Sequence, residues 1–158
     1  MKSDAWEGGH RMPFIVRWPN HVKQGTTSKQ LVCFTDLLAT FASMMEVKLP
    51  AEAGPDSFDF LHALTSQTKN EKSVRQQFVM RAGSLPSMMT IRSGDWKLIT
   101  QLGSGGFSKP KRIKPVPNGP QGQLYNLATD LSETNNLYLQ HPEIVERLKK
   151  EMAAIVGQ

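Results

Sequence analysis

The stretch KSDAWEGGHRMPFIVRWP (residues 2–19) places a lone lysine, an aromatic residue and a Glu-Gly-Gly step directly before an apolar run bracketed by Pro13 and Pro19. Residues 14–18 read as a short, mostly buried strand, because five apolar or amphipathic positions stand between two residues that cannot extend a ladder. A polar loop follows. Then TDLLATFASMMEV (35–47) sets Leu37, Leu38, Phe41, Met44 and Met45 on one helical face. Thr35 is expected to cap that helix, with Asp36 at the positive end of its dipole. Pro50 ends it, and a second short helix is expected over 58–64. One strand and one helix make no sheet, so this front part reads as the end of a larger α/β domain.

The texture changes after residue 77. Residues 78–81 and 88–100 alternate in period two, and Ser93-Gly94-Asp95 turns the chain into a returning strand from Trp96, a β-hairpin pattern. Residues 123–127 give a further strand. The chain closes on a helix with Pro142 in its first turn and Glu143 at its positive end. Its expected buried stripe is Ile144, Leu148, Met152 and Ile155. Glu143–Arg147 and Glu146–Lys150 are the expected pairs on the wet face. The overall reading is an α/β fragment over residues 1–72 followed by a small α+β subdomain over 73–158, an antiparallel sheet with a terminal helix.

Composition narrows the partners. The apolar fraction of 39% supports a packed core, and the formal charge of +5 favours an anionic partner. Cys33 is the only cysteine, so internal disulfides and cysteine-based metal clusters are excluded; among apolar neighbours it reads as a small buried side chain. No apolar run reaches the roughly 20 residues of a membrane span. The N-terminus lacks a leader pattern, which reads as a cytoplasmic or a truncated chain. Segment 103–122 carries Lys109, Lys111, Arg112 and Lys114, four prolines and no acidic residue, so it is a loop that could steer a polyanion. Nucleic acid is disfavoured as its ligand, since only Phe107 stands near the charges for stacking.

The motif Lys2, Trp6-Glu7-Gly8-Gly9, Arg11, Pro13, then Trp18-Pro19, resembles the sulfatases of the alkaline-phosphatase-like superfamily. The resemblance continues through DLLATFA, IRSGDWKLI, LYNLATDLSETNNL and HPEIVERL and so covers nearly the whole chain. Ser3 departs from it, since glycine is usual there. The resemblance implies an enzyme that hydrolyses sulfate esters at a formylglycine, with a calcium ion held by Asp and Asn side chains. It implies that Lys2 contacts a sulfate oxygen and that Glu7, Gly8, Gly9 and Arg11 support the site; His10, at a position the family varies, is expected at the substrate rim. Of these, the two glycines are expected to let the backbone turn sharply, and Arg11 to pair with a carboxylate.

The formylglycine motif, Cys/Ser-x-Pro-x-Arg, does not occur. Cys33 begins CFTDL, without the proline, and SLPSM (84–88) has Met88 in place of the arginine. Asp36, Asp56 and Asp59 do not match the calcium ligands. The sequence is therefore read as the C-terminal portion of a sulfatase, inactive alone, its expected partners being a sulfate ester, a sulfated polysaccharide among them, and the missing N-terminal half of the enzyme. The alternatives are a phosphodiesterase or phosphonate hydrolase of the same superfamily, or a polyanion-binding module. Family analogy suggests a periplasmic or extracellular location. Exposed apolar surface and a tendency to self-associate are expected of such a portion.

Overall fold

A computed structural model describes residues 1–65, 73–83 and 87–157. The chain divides into two compact units, Met1–Pro13 with Gln77–Gln158, and Phe14–Gln76. This differs from the division by sequence at 72/73, because the first thirteen residues pack with the sheet.

The sheet unit is built on four strands, β1 (Gln77–Arg81), β2 (Met89–Ser93), β3 (Trp96–Ile99) and β4 (Gln123–Asn126), antiparallel throughout and in chain order. The hairpin register pairs Ser93 with Trp96 across the Gly94-Asp95 turn. Both faces of the sheet are covered, so alternation here separates two buried sides. On one side Ile91, Leu98 and Leu124 pack on Val145 and Leu148 of the terminal helix Pro142–Val156. On the other, Met88, Ile99, Tyr125 and Leu127 pack on Ala5, with Trp6 at the margin. Each such fully buried aliphatic side chain contributes about 1.5–3 kcal/mol.

The terminal helix begins at Pro142 as expected, but its surface pairing differs. Arg147 bonds Glu151 at 2.5 Å and Lys149 bonds Glu146 at 2.9 Å. Glu143 instead meets His141. Glu151 also accepts from Gln77 at 2.8 Å, so it is already oriented for Arg147.

The second unit has no strand among its described residues. Residues 14–18 are not a strand, and Ile15 is 89% exposed. The physical reason is that a strand needs a neighbour for its backbone donors and acceptors, and none lies beside it among the described residues. A 3-10 turn (Phe34–Asp36) leads into a helix over Leu37–Met44, and a short helix spans Leu61–Thr65. Thr35 does not cap the first of these. Asp36, fully buried, accepts from the Cys33 and Phe58 backbone N–H groups at 2.8 and 3.0 Å and pairs with Arg75. The expected apolar face of that helix is largely uncovered: Leu38, Phe41, Met44 and Met45 are exposed, and burial falls on Thr40 and Ala42. Cys33 is half-buried rather than buried. The polar segment 66–72, and residues 84–86 of SLPSM, lie outside the described residues. No helix among the described residues is long and apolar enough to cross a membrane.

Candidate active-site segment

The motif is held on the sheet by tethers along its length. Ser3 C=O accepts from Gly83 N–H at 3.1 Å, and Ala5 N–H donates to Ser104 C=O at 2.6 Å. The buried Asp4 carboxylate accepts from Ser108 N–H at 3.0 Å and from the Ser108 hydroxyl at 2.5 Å. The Trp6 indole donates at 2.9 Å to Gln123, whose own amide donates to the carbonyls of Gln101 and Gly103. Glu7 opens a one-turn helix, Glu7–His10.

Beneath that turn lies a charged cluster. Lys97 is 1% exposed on the β3 face that carries Ile99. Its ammonium lies 3.0 Å from Glu7 Oε1 and 2.8 Å from Glu133 Oε1. The other oxygen of Glu133 accepts the Glu7 backbone N–H at 2.5 Å. Burial pushes the Glu7 carboxyl up, but the His10 hydrogen bond and the Lys97 charge outweigh it and hold the pKa at about 2. Tyr125, beside Lys97 in the ladder, moves the other way, raised by burial and by Glu133 to about 12. It stays a neutral donor to Gln123.

The candidate residues separate in place. Lys2 is exposed and makes no hydrogen bond or ion pair among the described residues. Glu7 points inward onto Lys97. His10 turns inward too, its Nε2 3.1 Å from Glu7, with Nδ1 buried and unpartnered. Arg11 is exposed and, against expectation, pairs with no carboxylate among the described residues, since the carboxylates beneath the turn already face Lys97.

The glycine step works differently from the expected sharp turn. The left-handed residue is Ser3, at φ 68°. Gly9 matters by proximity, since a Cβ there would stand 2.2 Å from Asp4 O. Gly8 has room, with nothing closer than 3.7 Å. Opposite effects are therefore expected. Ser3→Gly relieves a left-handed L-residue and stabilises the unit by about 0.5–1 kcal/mol after the glycine entropy cost. Gly9→Ala destabilises it by about 3 kcal/mol, at the upper end for overpacking, because the obstacle is backbone. Denaturant unfolding checks both, and a gain from Gly9→Ala would contradict the packing described.

Lys97 is the residue that sequence reasoning missed. Its signal was a lysine between Trp96 and Leu98 in a strand, where period two alone gives it a face but not a covering. Asp130 holds its turn by accepting from the Thr134 and Asn135 backbone, whereas Glu133 turns inward onto Lys97.

The family described as N-sulphoglucosamine sulphohydrolase, C-terminal, matches residues 2–158. The chain belongs to the sulfatases, as a C-terminal portion. An N-acetylgalactosamine-6-O-sulfatase of Bacteroides thetaiotaomicron is 34% identical over 158 residues, covering 98% of this chain and 29% of the relative. An ulvan-active sulfatase of Formosa agariphila is 32% identical, covering 91% of this chain and 32% of that protein. A solved structure from work on glycosaminoglycan metabolism by Bacteroides thetaiotaomicron superposes with a TM-score of 0.76 at 32% identity, covering 99% of this chain and 31% of its own. This sulfatase chain thus spans about three tenths of the length of these relatives, and its alkaline-phosphatase-like fold assignment follows from them.

Proposed function

We propose that this chain contributes Lys2 to the active site of a sulfatase acting on a sulfate ester carried by a sugar. The observation that carries the reading is the contrast within the motif. Its neighbours from Ser3 to Glu7 are tethered to the sheet, while the Lys2 ammonium at its edge is exposed and has no partner among the described residues. A fixed backbone that presents an uncommitted cation suits a tetrahedral oxyanion. Placed against a sulfate oxygen, that ammonium stabilises charge more strongly in the transition state than in the bound ester. The sugar-borne ester is the class named for the relatives from Bacteroides and Formosa.

Family resemblance implies calcium and a formylglycine. No group of three or more His, Cys, Asp or Glu side chains among the described residues could hold a metal ion. The residues described here do not fit that site, and no step is assigned through it. The 158-residue chain alone is expected to release no sulfate.

The test is sulfate release by the full-length gene product from 6-sulfated N-acetylgalactosamine oligosaccharides. Lys2→Ala is expected to lower kcat/KM by about 10²–10³-fold, the loss typical of one oxyanion contact. An exposed side chain leaves stability unchanged. Unaltered turnover in Lys2→Ala would overturn the assignment.

A further inference from the structure

The loop between β3 and β4 is more ordered than its composition implies. Leu102 and Ile113 form an antiparallel bridge, with Ile113 N–H donating to Leu102 C=O at 3.1 Å. Ser104 N–H donates to Pro110 C=O at 3.0 Å and Gly105 N–H to Lys111 C=O at 2.9 Å. Three backbone bonds thus pin residues 110–113 against 102–105. Beside this ribbon lies a cleft of about 380 Å³, with Arg112 and Lys114 on its wall, Gln101 and Gln121 among its polar groups, and Leu102 and Ile113 as apolar lining.

Arg112 and Lys114 flank the bridged Ile113, and all three line the cleft. Neither forms an ion pair or hydrogen bond among the described residues, and residues 101–122 contain no acidic side chain to neutralise them. Lys111, between them and Phe107, is engaged differently: its ammonium lies 5.7 Å from the Phe107 ring centre. One side-chain amide N–H of Gln101 is committed to Ser87 at 3.1 Å and one of Gln121 to Gly119 C=O at 3.1 Å. Committing those donors orients the amides and leaves their carbonyl oxygens as acceptors for hydroxyl groups.

We propose that this cleft binds an anionic residue of a sulfated glycan, with Arg112 and Lys114 on its sulfate or carboxylate groups and the two glutamine carbonyls on its hydroxyls. Two cations and two hydroxyl acceptors match a charged sugar ring. Among the described residues no aromatic side chain lines the cleft, which disfavours a nucleobase. The volume lies in the range of small-ligand pockets. The choice of a glycan rests on the sulfatase reading above, while the site itself uses residues other than Lys2.

The test is calorimetric titration of the 158-residue chain with a chondroitin sulfate tetrasaccharide, its desulfated and carboxyl-reduced form, and a single-stranded DNA oligonucleotide of matched charge. The double variant Arg112→Ala/Lys114→Ala is expected to weaken binding of the sulfated tetrasaccharide at least tenfold. Lys149→Ala/Lys150→Ala, removing the same charge from the terminal helix, is expected to change it less than twofold. Gln101→Ala is expected to weaken the sulfated tetrasaccharide threefold or more and to leave DNA binding unchanged. Equal losses from the two double variants overturn the proposal, as do undetectable tetrasaccharide binding and equal affinity for the uncharged sugar. DNA binding as tight as the glycan and equally dependent on Arg112 and Lys114 overturns the glycan assignment. Lys2 is intact in every variant, so these failures leave the Lys2 result standing, and an inert Lys2→Ala leaves this result standing.

Discussion

Lys97→Met is expected to destabilise the sheet unit by about 3–5 kcal/mol, the cost of leaving buried charges without their partner. Two carboxylates, Glu7 and Glu133, lie within 3.0 Å of the one ammonium, and all three side chains are buried. Methionine fills the space but returns no charge. Most of the loss therefore comes from the stranded carboxylates, and Glu7→Gln with Glu133→Gln in the same chain is expected to restore at least half of it. Amide exchange should accelerate in residues 1–13 and 77–157. A loss under 1 kcal/mol would show that the cluster is not a structural clasp.

Acid gives a second view of the same cluster. The Glu7 pKa is depressed from 4.5 to about 2 in the folded chain. A depressed carboxyl stabilises the fold fully above its unfolded pKa, and the contribution is lost as pH falls from about 4.5 through about 2. The wild-type sheet unit should lose stability across that window. In Lys97→Met the Lys97 attraction is gone, burial weighs more, and this acid-dependent loss should shrink or reverse sign.

Asp36→Ala is the second large effect, expected at about 3–5 kcal/mol and confined to residues 14–76. Asp36 is fully buried and carries three roles at once: it pairs with Arg75 and accepts two backbone N–H groups, from Cys33 and Phe58. Removing it leaves the buried guanidinium without its carboxylate and orphans two donors. Asp36→Asn keeps an acceptor for the backbone and should cost less. Amide exchange resolves the outcome by region: acceleration over 33–60 with residues 77–157 unaffected is expected, and uniform acceleration of the whole chain would contradict the division into two units.

Both residues show how far local pattern carried. The hairpin over Met89–Ile99 was legible because alternation and a Gly-Asp turn are properties of eleven consecutive residues. The terminal helix was legible for the same reason, with Pro142 and the acidic first turn marking its start. The resemblance was carried by short stretches such as the Trp-Glu-Gly-Gly step, and the family match over residues 2–158 bears it out. Residues 14–18 went the other way. Their composition was read correctly as apolar, but strand formation depends on a neighbour that composition does not supply. The exposed face of Leu38, Phe41 and Met45 has the same origin: helical spacing states which side chains share a face and is silent on what covers them.

By itself, the sequence determined the elements whose signals are local: the β2–β3 hairpin, the terminal helix that starts at Pro142, and the motif that marks a sulfatase. Only the tertiary structure decided that Glu7 and Lys97, 90 residues apart, meet in one buried cluster, and that Ser3, not a glycine, takes the left-handed turn. The reason is physical. Periodicity follows from backbone geometry within a few residues, whereas burial of a charge depends on the distant partner that neutralises it.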